Sequence, residues 1–122
     1  MTYESDQMVE SKTVPGVRFR IAKMSFGRRI ELTRRIRELA QKLQFLEAGG
    51  SLQERMDTAL LCAEIDRLYM QWGLKEVNGL ELDGVSATPE LLIENGPEEL
   101  LHEILGAVKG QCGLTETERK NS

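Results

Sequence analysis

The one histidine, His102, stands beside Glu98, Glu99 and Glu103. These are the residue types of general acid-base work, and a Ser-His-Asp or Cys-His unit would also need a nucleophile brought to them by the fold. The local spacing is that of a helix surface, and His102 reads as a partly exposed residue on it. The remaining acids follow the same spacing, and no pair is marked by an apolar setting that would raise one pKa for proton transfer. Cys62 and Cys112 have no second cysteine or histidine at metal-ligand spacing, so they read as reduced thiols of a cytosolic protein. Gly49-Gly50 lacks the Lys-Ser or Lys-Thr of a phosphate loop, and Asp83-Gly84 is too sparse for a calcium loop. The expectation is a protein with no catalytic residue, no metal site and no cofactor.

Charge is the other candidate chemistry. Residues 17–50 carry nine Lys and Arg against three Glu, whereas residues 51–118 carry fourteen acids against four bases. Such blocks attract each other across a fold or between copies of a chain. Arg28, Arg29, Arg34, Arg35 and Arg37 could alternatively neutralise nucleic-acid phosphates. Two features favour a solvated helix over that use. Phe26 and Phe45 do not interleave with the arginines as stacking platforms would, and Glu31 to Arg35 and Glu38 to Lys42 are favourable pairs four residues apart.

The elements that must position these groups follow from periodicity. Residues 1–16 are polar and end in the turn signal Val14-Pro15-Gly16, so they read as a mobile tail. Residues 17–21 alternate apolar and basic, which predicts a strand with Val17, Phe19 and Ile21 inward. A basic helix is predicted over 25–48, capped by Ser25, with Leu32, Ile36, Leu39, Leu43 and Leu46 on one stripe and Gly49-Gly50 as its stop. The capping box Ser51-x-x-Glu54 opens a second helix over 52–72 with two apolar stripes. Leu52, Met56, Ala59 and Ala63 form one; Leu61, Ile65, Leu68 and Trp72 form the other. Residues 74–83 read as a β-hairpin turned at Asn78-Gly79, which would complete a three-stranded antiparallel sheet with the first strand. Thr88-Pro89 and Pro97 open two C-terminal helices, and Thr115-x-x-Glu118 suggests a last helical turn.

The predicted fold is therefore mainly α, α+β in detail: a helical hairpin plus C-terminal helices with a small antiparallel β element. It forms a single mainly helical domain over 17–118, with a C-terminal tail at 119–122. No apolar run reaches the length of a membrane span, and the acidic start is unlike a signal peptide, which places the chain in the cytoplasm. A helix apolar on two stripes has more surface than one neighbour covers. Tyr69, Met70 and Trp72 suit core packing under the hairpin and also contact with another protein. The residues expected to meet a partner are Leu61, Ile65, Leu68, Tyr69 and Trp72, with Arg28, Arg34 and Arg35 setting its orientation.

Several dispersed segments together resemble a group of small tailed-phage proteins. They are Met24-Ser25-Phe26-Gly27-Arg28-Arg29-Ile30-Glu31-Leu32, Tyr69-Met70-Gln71-Trp72-Gly73-Leu74, Ala87-Thr88-Pro89-Glu90-Leu91-Leu92, Gly96-Pro97-Glu98-Glu99-Leu100 and the ending Glu118-Arg119-Lys120-Asn121-Ser122. Over about residues 17–122 the chain looks like the tail assembly chaperones of long-tailed phages and prophages. The resemblance implies a non-enzymatic protein of the host cytoplasm that binds the tape measure protein and assists tail tube protein assembly around it. It also implies self-association and absence from the finished particle. Two rival readings are a virion connector or tail-completion subunit, and a nucleic-acid-binding regulator using the basic helix 25–48.

Overall fold

The computed structural model describes residues 1–47 and 49–113, so the helical turn expected after Thr115 and the tail 119–122 lie outside the described residues. The chain runs β1 (Asp6–Glu10), β2 (Arg18–Ala22), α1 (Phe26–Glu47), α2 (Leu52–Gly73), β3 (Leu74–Asn78), β4 (Glu81–Leu82), β5 (Val85–Ser86), α3 (Pro89–Asn95) and α4 (Glu98–Gln111). The architecture is mainly helical with small antiparallel β elements, as the periodicities predict.

β2 is the central strand of a sheet ordered β1-β2-β3, antiparallel throughout. Its inward residues, Phe19 and Ile21, are fully buried along with Val17 just before it. The third strand of this sheet comes from the segment expected to be a mobile tail. Asp6–Glu10 pairs with β2 from Asp6 opposite Ala22 to Glu10 opposite Arg18. Its composition hid it: DQMVE has no apolar alternation, because an edge strand is held mainly by backbone hydrogen bonds. Arg28 secures it. Its guanidinium donates to Asp6 Oδ1 at 2.9 Å, to the Ser5 carbonyl and to the Lys23 carbonyl at 3.1 Å, which ties β1 to the first turn of α1.

The hairpin expected over 74–83 is corrected in position. β3 pairs with β2 and not with the segment that follows it, and a separate two-residue hairpin joins β4 to β5 through Asp83-Gly84. Both turn residues have positive φ, 53° and 80°, which is the geometry that matches the twist of a tight hairpin. Gly79 also has positive φ, but it serves to pass the chain over the β1–β2 loop. A Cβ there would sit 2.2 Å from the Gly16 carbonyl oxygen, so only glycine allows the approach.

The core lies between the sheet and the C-terminal parts of the chain. Trp72 at the end of α2, Leu92 of α3, and Leu100, Ile104 and Val108 of α4 close over Phe19, Ile21 and Leu74. Each of these side chains contributes about 1.5–3 kcal/mol on burial. α2 and α4 meet closely because Gly73 has no side chain, and a Cβ there would lie 2.5 Å from Val108 Cγ1. Ion pairs brace the periphery: Arg20 to Glu76 at 3.0 Å between β2 and β3, Arg67 to Glu94 at 3.2 Å between α2 and α3, and Lys109 to Asp66 at 2.9 Å between α4 and α2. The hydrogen bond from Arg20, supported by Asn78, holds the Glu76 carboxyl below its ordinary range.

Candidate protein-binding surface

α1 and α2 start where their caps require. Ser25 Oγ accepts the Arg28 amide, and Ser51 forms the full capping box, with the Glu54 amide donating to Ser51 Oγ at 3.0 Å and Glu54 Oε1 accepting the Ser51 amide. The two helices then pack on each other as an antiparallel pair. Among the described residues, no partly buried hydrophobic side chain between Ile36 and Ile65 belongs to the hydrophobic core or packs against it. The tip half of the hairpin therefore projects from the body, by roughly 16 Å at the helical rise of 1.5 Å per residue.

This projection separates the two stripes of α2. Leu61, Ile65 and Leu68 are half-buried, and Tyr69 and Trp72 are buried at its base. Their stripe faces α1 and the core. Of the two roles expected of Tyr69 and Trp72, core packing and contact with a partner, their burial fits the first and removes them from the partner set: Trp72 is 2% exposed, and the Lys109 ammonium lies 5.3 Å from the Tyr69 ring centroid. The other stripe points outward. Leu52 and Met56 are 69% and 64% exposed, Ala59 and Ala63 of the same stripe are exposed, and Leu60 beside them is 59% exposed. Towards the body this stripe runs into a cleft of about 200 Å³ between α2 and α4, lined by Ala63, Met70, Leu101 and Leu105, with Asp66, Glu98 and His102 around it. A sequence can show two stripes at helical spacing, but which one meets the neighbouring helix depends on the loop and on where α3 and α4 dock.

The arginines divide similarly. Arg28 is the clamp on β1 and is half-buried, which removes it from the set that could orient a partner. Arg35 pairs with Glu31 at 2.7 Å, as the four-residue spacing predicts. Arg34 is exposed and, with Arg37, Glu38 and Gln41, frames a shallow depression on the outer side of α1. Phe26 and Phe45 lie on that same outer side, 86% and 83% exposed, because 26, 34, 37, 41 and 45 follow helical spacing.

His102 is exposed on α4, as expected. Its neighbour Glu103 turns to the other side of the helix and binds the β1–β2 loop. Ser11 Oγ donates to Glu103 Oε1 at 2.6 Å, and the Lys12 amide donates to Oε2 at 2.7 Å. Ser11 Oγ in turn accepts the Thr13 and Val14 amides. Partial burial pushes the Glu103 carboxyl up, but these donors outweigh it and hold it below the ordinary range. Among the described residues no group of three or more His, Cys, Asp and Glu is placed to hold a metal ion, and no helix is long and apolar enough to cross a membrane. No protein-family model, curated protein or solved structure matches the chain.

Proposed function

We propose that this protein is a non-enzymatic, cytoplasmic tail assembly chaperone of a long-tailed phage or prophage. It binds an amphipathic helix of the tape measure protein and keeps that helix soluble while tail tube subunits assemble. The observation that supports a binding role is the outward stripe Leu52, Met56 and Leu60 on a hairpin that projects beyond the core. An isolated helix pair of this length gains most of its stability from packing, so apolar residues left outside the pair are poised for another helix. Ala59 and Ala63 let a client backbone come close to α2. The phage assignment comes from the sequence resemblance.

The test is co-expression with the candidate tape measure protein. Wild-type chain keeps the client in the soluble fraction, and Met56→Asp loses it while its own melting temperature is unchanged. Met56→Asp solubilising the client as well as wild type would sink the proposal. Recovery of the chain from purified particles would favour the connector reading instead. The ridge of Arg34 and Arg37 beside exposed Phe26 and Phe45 gives the nucleic-acid reading a specific surface. That reading requires affinity for single-stranded nucleic acid that falls steeply with salt, and no binding at low salt ends it.

A further inference from the structure

The central strand β2 is held differently on its two sides. On one side β3 follows directly from α2 and places Leu74 and Val77 in the core. On the other, no residue of β1 is buried, and Val9, with Val14 in the loop after it, only packs against the margin of the core. Polar contacts hold this side instead. Arg28 grips Asp6 and the Ser5 carbonyl, Gln111 Nε2 donates to Gln7 Oε1 at 2.8 Å, and Glu103 accepts from Ser11 and Lys12. These grips stand at both ends of the segment, so releasing one frees few residues while the others still hold the chain. Conformational entropy is gained only when they let go together.

We infer that residues 5–14 form a strap that opens as one unit while the helices and the β2–β3 ladder stay folded, baring the edge of β2. The bared edge is flanked by Phe19 and Ile21, whereas the edge presented by the closed strap carries Asp6 and Glu10. Opening therefore exchanges a charged edge for an apolar one that favours strand addition. The amides of β2 distinguish this opening from unfolding of the whole domain. The Ser11 amide donates to the Val17 carbonyl at 2.8 Å and the Lys23 amide to the Ser5 carbonyl at 3.0 Å, and the register between them is unbroken. Antiparallel alternation then directs the Phe19 and Ile21 amides to β1 and those of Arg18 and Arg20 to β3. Neighbouring amides on one strand belong to different openings.

Native-state amide hydrogen exchange of the full chain, residue by residue, is the test. Relative to their unstructured rates, the amides of Ser11, Phe19, Ile21 and Lys23 exchange at a common level, at least about tenfold faster than those of Arg18 and Arg20. Leu92→Ala separates the two openings, because α3 packs on α2, β3 and β4, which stay folded when the strap opens. It accelerates Arg18 and Arg20 at least about tenfold and leaves the strap amides unchanged; Leu92→Val replaces it if it does not fold. Arg28 holds the strap in the closed form alone, so Arg28→Ala accelerates both sets about fivefold. One shared level for both sets, an equal response of both to the Leu92 variant, or a graded rise from Phe19 to Lys23 as at a fraying terminus overturns the inference. So does an Arg28→Ala variant in which Phe19 and Ile21 exchange at the wild-type rate.

Discussion

Replacing Glu103 by glutamine tests how the N-terminal segment is held to the helical half. Both residues are good helix formers, so α4 itself is little affected. Glutamine can still accept from Ser11 through its carbonyl, but its amide group faces the Lys12 N–H, and one charge-assisted bond becomes a donor-donor contact. A bond of this class contributes about 1.5–3 kcal/mol when shielded. The Lys12 side of the contact is exposed, so about 1–2 kcal/mol is the expected loss. For a domain of this size that lowers the melting temperature by roughly 4–10 °C. The pH dependence gives a sharper readout. The folded carboxyl lies below its ordinary value of 4.5, so its contribution is complete above that value and is lost as pH falls through the depressed folded-state pKa. Urea melts of wild type and Glu103→Gln should therefore differ at neutral pH and converge at acid pH, below the depressed folded-state pKa. Amide exchange at Lys12 and Val14 should accelerate in the variant. An equal stability difference at both pH values would refute the view that the carboxylate charge holds the loop.

Gly73→Ala places a methyl group against Val108, 2.5 Å from Cγ1, and should cost about 1–3 kcal/mol in chemical denaturation as α2 and α4 are pushed apart. Trp72→Ala, at 2% exposure, should cost about 3–5 kcal/mol, whereas Phe45→Ala at 83% exposure should stay within about 0.5 kcal/mol. The two aromatics thus separate core from surface in one denaturation series. In the folded protein a thiol reagent should modify exposed Cys62 quickly. Cys112, buried and with its thiol pushed up by that burial, should react only on unfolding; rapid double labelling of native protein would contradict its placement.

Local signals determined much of the fold by themselves. The caps at Ser25, Ser51 and Thr88, Pro89 at the first position of α3, and the alternation around Phe19 are short-range features. Each appears where its residue types satisfy free backbone groups or a period-two face. What depended on tertiary contact was harder to read. β1 needed β2 beside it, since its own residues carry no apolar pattern. Asn78-Gly79 met the chemistry of a hairpin turn, yet the ladder to β2 and the approach to Gly16 claimed it, and Asp83-Gly84 made the hairpin instead.

The candidate surface divides along the same line. That α2 is apolar on two sides follows from side-chain type and a period of 3.6 residues alone. Which side meets the core depends on how the other helices dock. The docking of α1, α3 and α4 buries Tyr69 and Trp72 and leaves Leu52, Met56 and Leu60 in water. The arginines follow the same logic: Arg28 is taken by Asp6 from a strand the sequence did not announce, while Arg34 remains outside. Periodicity is a property of one helix, whereas exposure is a property of its neighbours.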